Sequence, residues 1–241
     1  MLSPRYSVLS ATPASVNVAI SFRSRTADST NPIPRAAPVP SPYRVLSWAP
    51  LGDGLSEAWA IINHHVRTDE YLAHQPQVFL RVLAQRLGLQ AQVVGLMTGV
   101  KMERLVRRLV QHDPVTIECF ATVGLSNALA VGDPATYEES PGTINLIVVA
   151  NQRLTTAALV EAVAIATEAK VRALYAAGVK STVSDALATG TGTDCVAIAC
   201  PRGEPAYGYC GKHTQLGELL GRVVCDATTE GLRRAGATGR V

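Results

Sequence analysis

Apolar and polar positions alternate in two rhythms along this 241-residue chain, and the rhythm changes mark its elements. Leu55, Trp59, Ile62 and Val66 recur at spacings of three and four, which predicts a helix over 55–66. The same rhythm predicts a helix over 77–87, stopped by Gly88, and a basic amphipathic helix over 101–111 with Leu105, Val106 and Leu109 inward. Residues 44–49 and 91–97 read as strands. Over 115–123 the period drops to two, so Val115, Ile117, Cys119 and Ala121 share one face and Thr116, Glu118, Phe120 and Thr122 the other.

A polar loop is expected over 124–142. The segments 143–150 and 194–199 are apolar enough to be strands buried on both faces. Between them, Thr155 or Thr156 caps a long helix that ends near Gly178, and a last helix spans 214–234. Strands alternate with helices, so the expected class is α/β, a mixed sheet covered by helices in one domain, with an α+β sandwich as the alternative. Segments 91–123 and 143–199 each read as a β-α-β unit.

Residues 1–42 break the rhythm. They hold 7 of the 14 prolines and are expected to be a largely disordered, basic extension, apart from an alternating run at Val16, Val18, Ile20 and Phe22 that fits an edge strand. The domain proper is expected at 43–241. Arg5, Arg23, Arg25 and Arg35 against Asp28 alone account for the chain's whole net charge of +3. The body is neutral, so nothing suggests a nucleic-acid surface. No apolar run reaches membrane-span length and no signal peptide is evident, which predicts a cytoplasmic protein without a membrane partner. Five cysteines without a Cys-x-x-Cys pair argue against a disulfide framework and structural zinc.

Chemistry concentrates at predicted strand ends. Ala188 to Asp194 alternates three threonines with two glycines before a carboxylate, which places hydroxyls and a charge where backbone can be approached closely. Thr189, Thr191, Thr193 and Asp194 are its candidates. Ser126 and Asn127 follow the strand bearing Glu118, as a nucleophile and an oxyanion donor or as a simple cap or turn. Asn145 opens an apolar strand and needs hydrogen-bond partners, from the core or from a ligand. Glu168 lies among small and apolar residues and is expected to be a buried carboxylate with a raised pKa. His64 and His65 adjoin on a predicted helix, about 100° apart, so one faces inward. His213 precedes the last helix, where a neutral imidazole is favoured.

These segments, in order, resemble the adenosylcobinamide amidohydrolase family. The resemblance rests on residues 44–47, Asn63 to Val66, Val94 to Thr98, Gly124 to Ala128, Gly132-Asp133, Pro141 to Asn145, Ala166 to Lys170, Ala188 to Asp194 and Lys212 to Glu218. It covers roughly 43–235. Gly52-Asp53-Gly54 and Lys212 depart from the family's expected pattern. The resemblance implies hydrolysis of one corrinoid amide, adenosylcobinamide giving adenosylcobyric acid and 1-aminopropan-2-ol in prokaryotic cobamide salvage. It implies a small-molecule corrinoid as partner, no separate cofactor, and cobalt present only within the substrate; a homo-oligomer stays open. Glu168 or Asp194 would then activate the attacking group. Ser126, Asn127 and the 189–193 loop would bind the oxyanion or corrin amides, and His213 would protonate the amine. Ser126 or a threonine as nucleophile stays open, as does a contact of His64 or His65 to the corrinoid. A non-catalytic corrinoid carrier is the competing class.

Overall fold

The computed structural model describes residues 7–10, 17–21, 41–66, 75–89, 92–135 and 142–237. Twelve strands and three α-helices are present among them: β1 (Ser7–Ser10), β2 (Asn17–Ser21), β3 (Tyr43–Ser47), β4 (Gly54–Ala58), β5 (Ala60–His65), α1 (Pro76–Arg86), β6 (Val93–Thr98), β7 (Val106–His112), β8 (Val115–Val123), β9 (Ala128–Leu129), β10 (Ile144–Ala150), α2 (Thr156–Ala176), β11 (Gly190–Thr191), β12 (Cys195–Pro201) and α3 (Gln215–Arg234). A six-stranded mixed sheet runs β4-β3-β12-β10-β8-β7, and a four-stranded sheet runs β1-β2-β5-β6.

The core shows how these layers stack. Even-numbered residues of β10 and β12 (Leu146, Val148, Val196, Ile198) pack with α2 and α3, and odd-numbered ones (Ile147, Val149, Ala197, Ala199) pack with Ile61, Val94 and Leu96 of the smaller sheet. Both faces of these strands are therefore buried, which explains their unbroken apolar runs. The far face of the smaller sheet, Ala60, Ile62 and Val93, is covered by Ala84 of α1. The order of layers is α1, four-stranded sheet, six-stranded sheet, α2 with α3. The expected α/β class with a mixed, helix-covered sheet is what the chain forms.

Two expected helices are strands. Residues 55–66 form β4 and β5, which turn from one sheet into the other at Trp59. Ala60 to His65 lies between α1 and the larger sheet, and a segment covered on both sides loses the amphipathic logic that its spacing suggested. Residues 101–111 form a short 3-10 turn at Met102–Arg104 and then β7, a hairpin partner of β8. Val106, Arg108 and Val110 alternate with Arg107, Leu109 and Gln111, so period two wins. Its arginines suit an edge strand, where charge discourages further pairing. The parallel β-α-β units are accordingly β5-α1-β6 and β10-α2-β12, not 91–123.

Caps fall where the sequence puts them. Thr155 accepts from Ala158 N and Thr214 from Gly217 N, and Gly88 and Gly178 take positive φ just past α1 and α2. Within the alternating run, Asn17–Ser21 forms β2, internal to its sheet between β1 and β5 rather than at an edge, and Val16 and Phe22 lie outside the described residues. Most of 1–42 otherwise lies outside the described residues.

Candidate active site

Three segments meet at one end of the larger sheet because β10 pairs β8 antiparallel and β12 parallel. They are the exit from β8 (124–128), the entry to β10 (142–144) and the entry to β12 (190–194). Glycine allows the close approach. A methyl on Gly142 would overlap Ser126 Oγ and lie 2.8 Å from Asn127 Oδ1, and one on Gly190 would overlap Asp194 and lie 2.7 Å from Lys170 Nζ. β9 and β11 pair here, Gly190 opposite Leu129 and Thr191 opposite Ala128.

Asp194 is the hub. Its Oδ2 pairs with Lys170 Nζ, and its Oδ1 accepts from Thr191 Oγ1 and, at 3.1 Å, from Ile144 N. Its carbonyl accepts from Trp48 Nε1 at 2.7 Å. The Lys170 and Asp194 side chains are only 7% and 11% exposed, so this ion pair is largely desolvated and either partner alone would be costly. Thr193 Oγ1 donates to Gly142 O at 3.1 Å, so at 2.7 Å Thr143 Oγ1 must donate to it. Thr189 Oγ1 accepts from Val131 N at 2.8 Å, which shapes the loop. Ser126 is exposed at the lip and Asn127 is buried behind it.

Lys170 is the residue that sequence reading missed, and Glu168 is corrected with it. Glu168 was expected to be buried, but its side chain is 54% exposed and pairs with Lys212 at 2.6 Å. The buried positions of α2 run Ala162, Ile165, Ala166, Ala169, Lys170 and Ala173, spaced by three and four. Lys170 is in phase with that stripe and Glu168 is not. Two residues apart on a helix, they point about 200° apart. His213 is exposed in the turn before α3, and its neighbour Lys212 ties that turn to Glu168 rather than to Asp194. The four catalytic candidates thus divide: Asp194 and Ser126 belong to the converging loops, Glu168 and His213 to the other side of α2.

Asn145 points to the opposite face of the sheet from Asp194. Its Nδ2 donates to Asn63 Oδ1 at 2.9 Å and to Met97 O at 2.8 Å, and Asn63 Nδ2 donates to Thr122 Oγ1 at 3.1 Å. Core partners thus hold its amide nitrogen, while Oδ1 is buried without a partner among the described residues. His64 and His65 also need correction, because adjacent residues on a strand face opposite ways. His64 is buried against Phe79 of α1, ring centroids 4.9 Å apart, and half-buried His65 shares the face of Asn63.

Glu118 lies on the same inter-sheet face, about 13 Å along β8 from Thr122. One oxygen touches Arg107 Nε, yet burial pushes its carboxyl up to about 7. A carboxyl raised above its ordinary 4.5 keeps its proton longer in the folded state, so its contribution to stability is present below 4.5 and lost as pH rises to 7. The stability of the wild type relative to Glu118→Gln is expected to fall by about 1–2 kcal/mol between pH 4.5 and 8. Urea unfolding across that range reads it, and a flat difference would mean that Arg107 keeps the group ionised throughout.

Burial pushes the Cys195 thiol, beside Asp194, up to about 12, which makes it a packing residue. All five cysteines are free. Among the described residues no cluster of three His, Cys, Asp or Glu side chains could hold a metal ion, and no helix is long and apolar enough to cross a membrane.

The family model for adenosylcobinamide amidohydrolase matches residues 31–239. An uncharacterized protein of Methanocaldococcus jannaschii is 28% identical over 202 residues, which cover 75% of this chain and 79% of that one. The adenosylcobinamide amidohydrolase of Methanosarcina mazei is 32% identical over 170 residues, covering 67% of this chain and 76% of its own. The protein of that name from Halobacterium salinarum is 35% identical over 145 residues, 57% of each chain.

Proposed function

This chain belongs to the adenosylcobinamide amidohydrolase family, and from that premise we propose that it hydrolyses adenosylcobinamide to adenosylcobyric acid and 1-aminopropan-2-ol. The observation in this structure that supports the reading is the buried Asp194–Lys170 pair set under the Thr-Gly-Thr-Gly-Thr loop. Amide hydrolysis breaks one carbon–nitrogen bond, with water giving hydroxide to the carbon and a proton to the nitrogen. A base near the water, donors for the oxyanion and an acid for the amine serve that reaction.

In this proposal Asp194 takes the proton of the attacking water, or of Thr191, whose hydroxyl already bonds Oδ1; in the second route the amine leaves as a Thr191 ester forms, and water then cleaves that ester to the acid and the free hydroxyl. Lys170 Nζ, on the other oxygen, supplies the proton for the departing amine. Ser126 Oγ, beside Gly142 at the exposed lip, and Asn127 Nδ2, 3.5 Å from the position of a Gly192 methyl, supply oxyanion donors. The cobalt of the corrinoid is part of the substrate and takes no role in the step.

Incubation of the protein with adenosylcobinamide, followed by chromatography, is expected to show adenosylcobyric acid and 1-aminopropan-2-ol in equal amounts. Tight binding without either product would instead support a corrinoid carrier.

A further inference from the structure

We propose that Trp48, with Leu46 and Leu55 beside it, forms the shelf on which the conjugated ring of the corrinoid lies. This rests on the reading of the protein as a corrinoid amidohydrolase and adds where the macrocycle sits.

The shelf follows from strand geometry. Along β3, Tyr43 and Val45 face the smaller sheet, as does Ala49 just beyond the strand, and Leu46 packs with the helix-side core. Alternation puts Trp48 on the helix side too. Leu46 pairs with Leu55 of edge strand β4, so Trp48 is a diagonal neighbour of Leu55 on one face. α2 lies over β12, and α3 over β8 and β7. Toward the β3–β4 edge Trp48 remains 48% exposed and Leu55 46% exposed. Two large apolar side chains are thus left contiguous on a surface strand pair, a different matter from scattered exposed leucines.

Continuity with the reaction site says what covers them. Trp48 Nε1 donates to the carbonyl of Asp194, so the indole is fixed at the edge of the converging loops and its one polar atom is already satisfied. What remains to offer is a rigid apolar face, the surface that stacks on a flat conjugated ring at small entropic cost. Glu57 and Arg202, paired at 3.0 Å and half exposed, flank the shelf with hydrogen-bonding groups. A macrocycle rimmed by carboxamides needs that combination. It would lie on the shelf with one peripheral amide carried over to Asp194.

The test is equilibrium dialysis of adenosylcobyric acid, which keeps the corrinoid ring and is not consumed, against the full chain and its variants, read by corrinoid absorbance, with folding checked by thermal melts. Trp48→Ala is expected to raise Kd about tenfold or more, Leu55→Ser about threefold, and Trp48→Phe less than threefold, because the phenyl face still stacks. The shelf is overturned if Trp48→Ala binds within twofold of wild type. It is equally overturned if Trp48→Phe binds as weakly as Trp48→Ala, for then the indole acts only through its bond to Asp194. Loss of a wild-type dimer in Trp48→Ala, with Kd unchanged, would assign the patch to a second copy of the chain. Should Trp48→Ala not fold, Leu55→Lys must weaken binding or the shelf fails. Product from the wild type with Kd insensitive to Trp48 removes the shelf and keeps the hydrolase. Trp48-dependent binding without product keeps the shelf and removes the hydrolase.

Discussion

Asp194→Asn is expected to lower kcat for adenosylcobinamide by about 10³-fold, the range that separates a positioned base from its amide. The substitution keeps two acceptor or donor positions of similar shape, so Thr191 and Ile144 N retain a partner. What it removes is the charge opposite Lys170, in a place where both side chains are close to nine-tenths buried. A stability loss of about 3 kcal/mol is expected alongside, because a buried ammonium is left uncompensated. The two effects separate by assaying well below the lowered Tm. Glu168→Gln is the control: its exposed pair with Lys212 contributes little, and turnover within about threefold of wild type is expected. Asp194→Asn at more than a tenth of wild-type turnover, with folding intact, would remove the carboxylate from the chemistry.

The largest expected stability effect lies in the first turn of α3. Gly217 N donates to the capping Thr214 Oγ1, and the chain at 210–211 crosses directly over it. A methyl there would overlap the carbonyl oxygens of Cys210 and Gly211 and lie 2.7 Å from Gly211 C. Those atoms are backbone, and Cys210 is itself fully buried, so neither side can give way cheaply. Gly217→Ala is expected to cost about 3 kcal/mol or more, against a helix-propensity gain of about 1 kcal/mol. Gly221→Ala, one turn on, meets only Ile165 Cγ2 at an ordinary 3.5 Å and is expected to be neutral or slightly stabilising. Urea midpoints for the pair give the comparison, and equal midpoints would refute the crossing-chain account.

The sequence carried α2, α3, β8, β10 and β12 well, because each has a long uniform period and most have a visible cap or glycine stop. It failed at β4, β5 and β7, where apolar residues satisfy periods of two and of 3.6 together. For β5 the cover of α1 and the larger sheet on its two faces decides, and nothing local announces it; β4 and β7 are settled by pairing with β3 and β8 at the two edges of the larger sheet. The site was legible as a loop and illegible as an arrangement. Thr191 and Asp194 lie three residues apart in sequence, so their partnership could be read. Lys170 could be found only from the phase of α2, which a helix of alanines conceals by looking apolar on every side. Asn145 and Asp194 both stand at strand entries, and alternation puts them on opposite faces of the sheet.

The connections of Asp194 also set when the site comes into being. Its contacts to Lys170, to Ile144 N and from its carbonyl to Trp48 span 24, 50 and 146 residues of chain. Each span must be closed against chain entropy before its contact can form, and contacts of long span are slow to form. The backbone hydrogen bonds of α2 and α3 join residues four apart, whereas Asp194 acquires its partners only after β3, β10, β12 and α2 have met. Recovered activity therefore records the last stage of assembly, and a refolding chain would regain its helical signal well before it could cleave an amide.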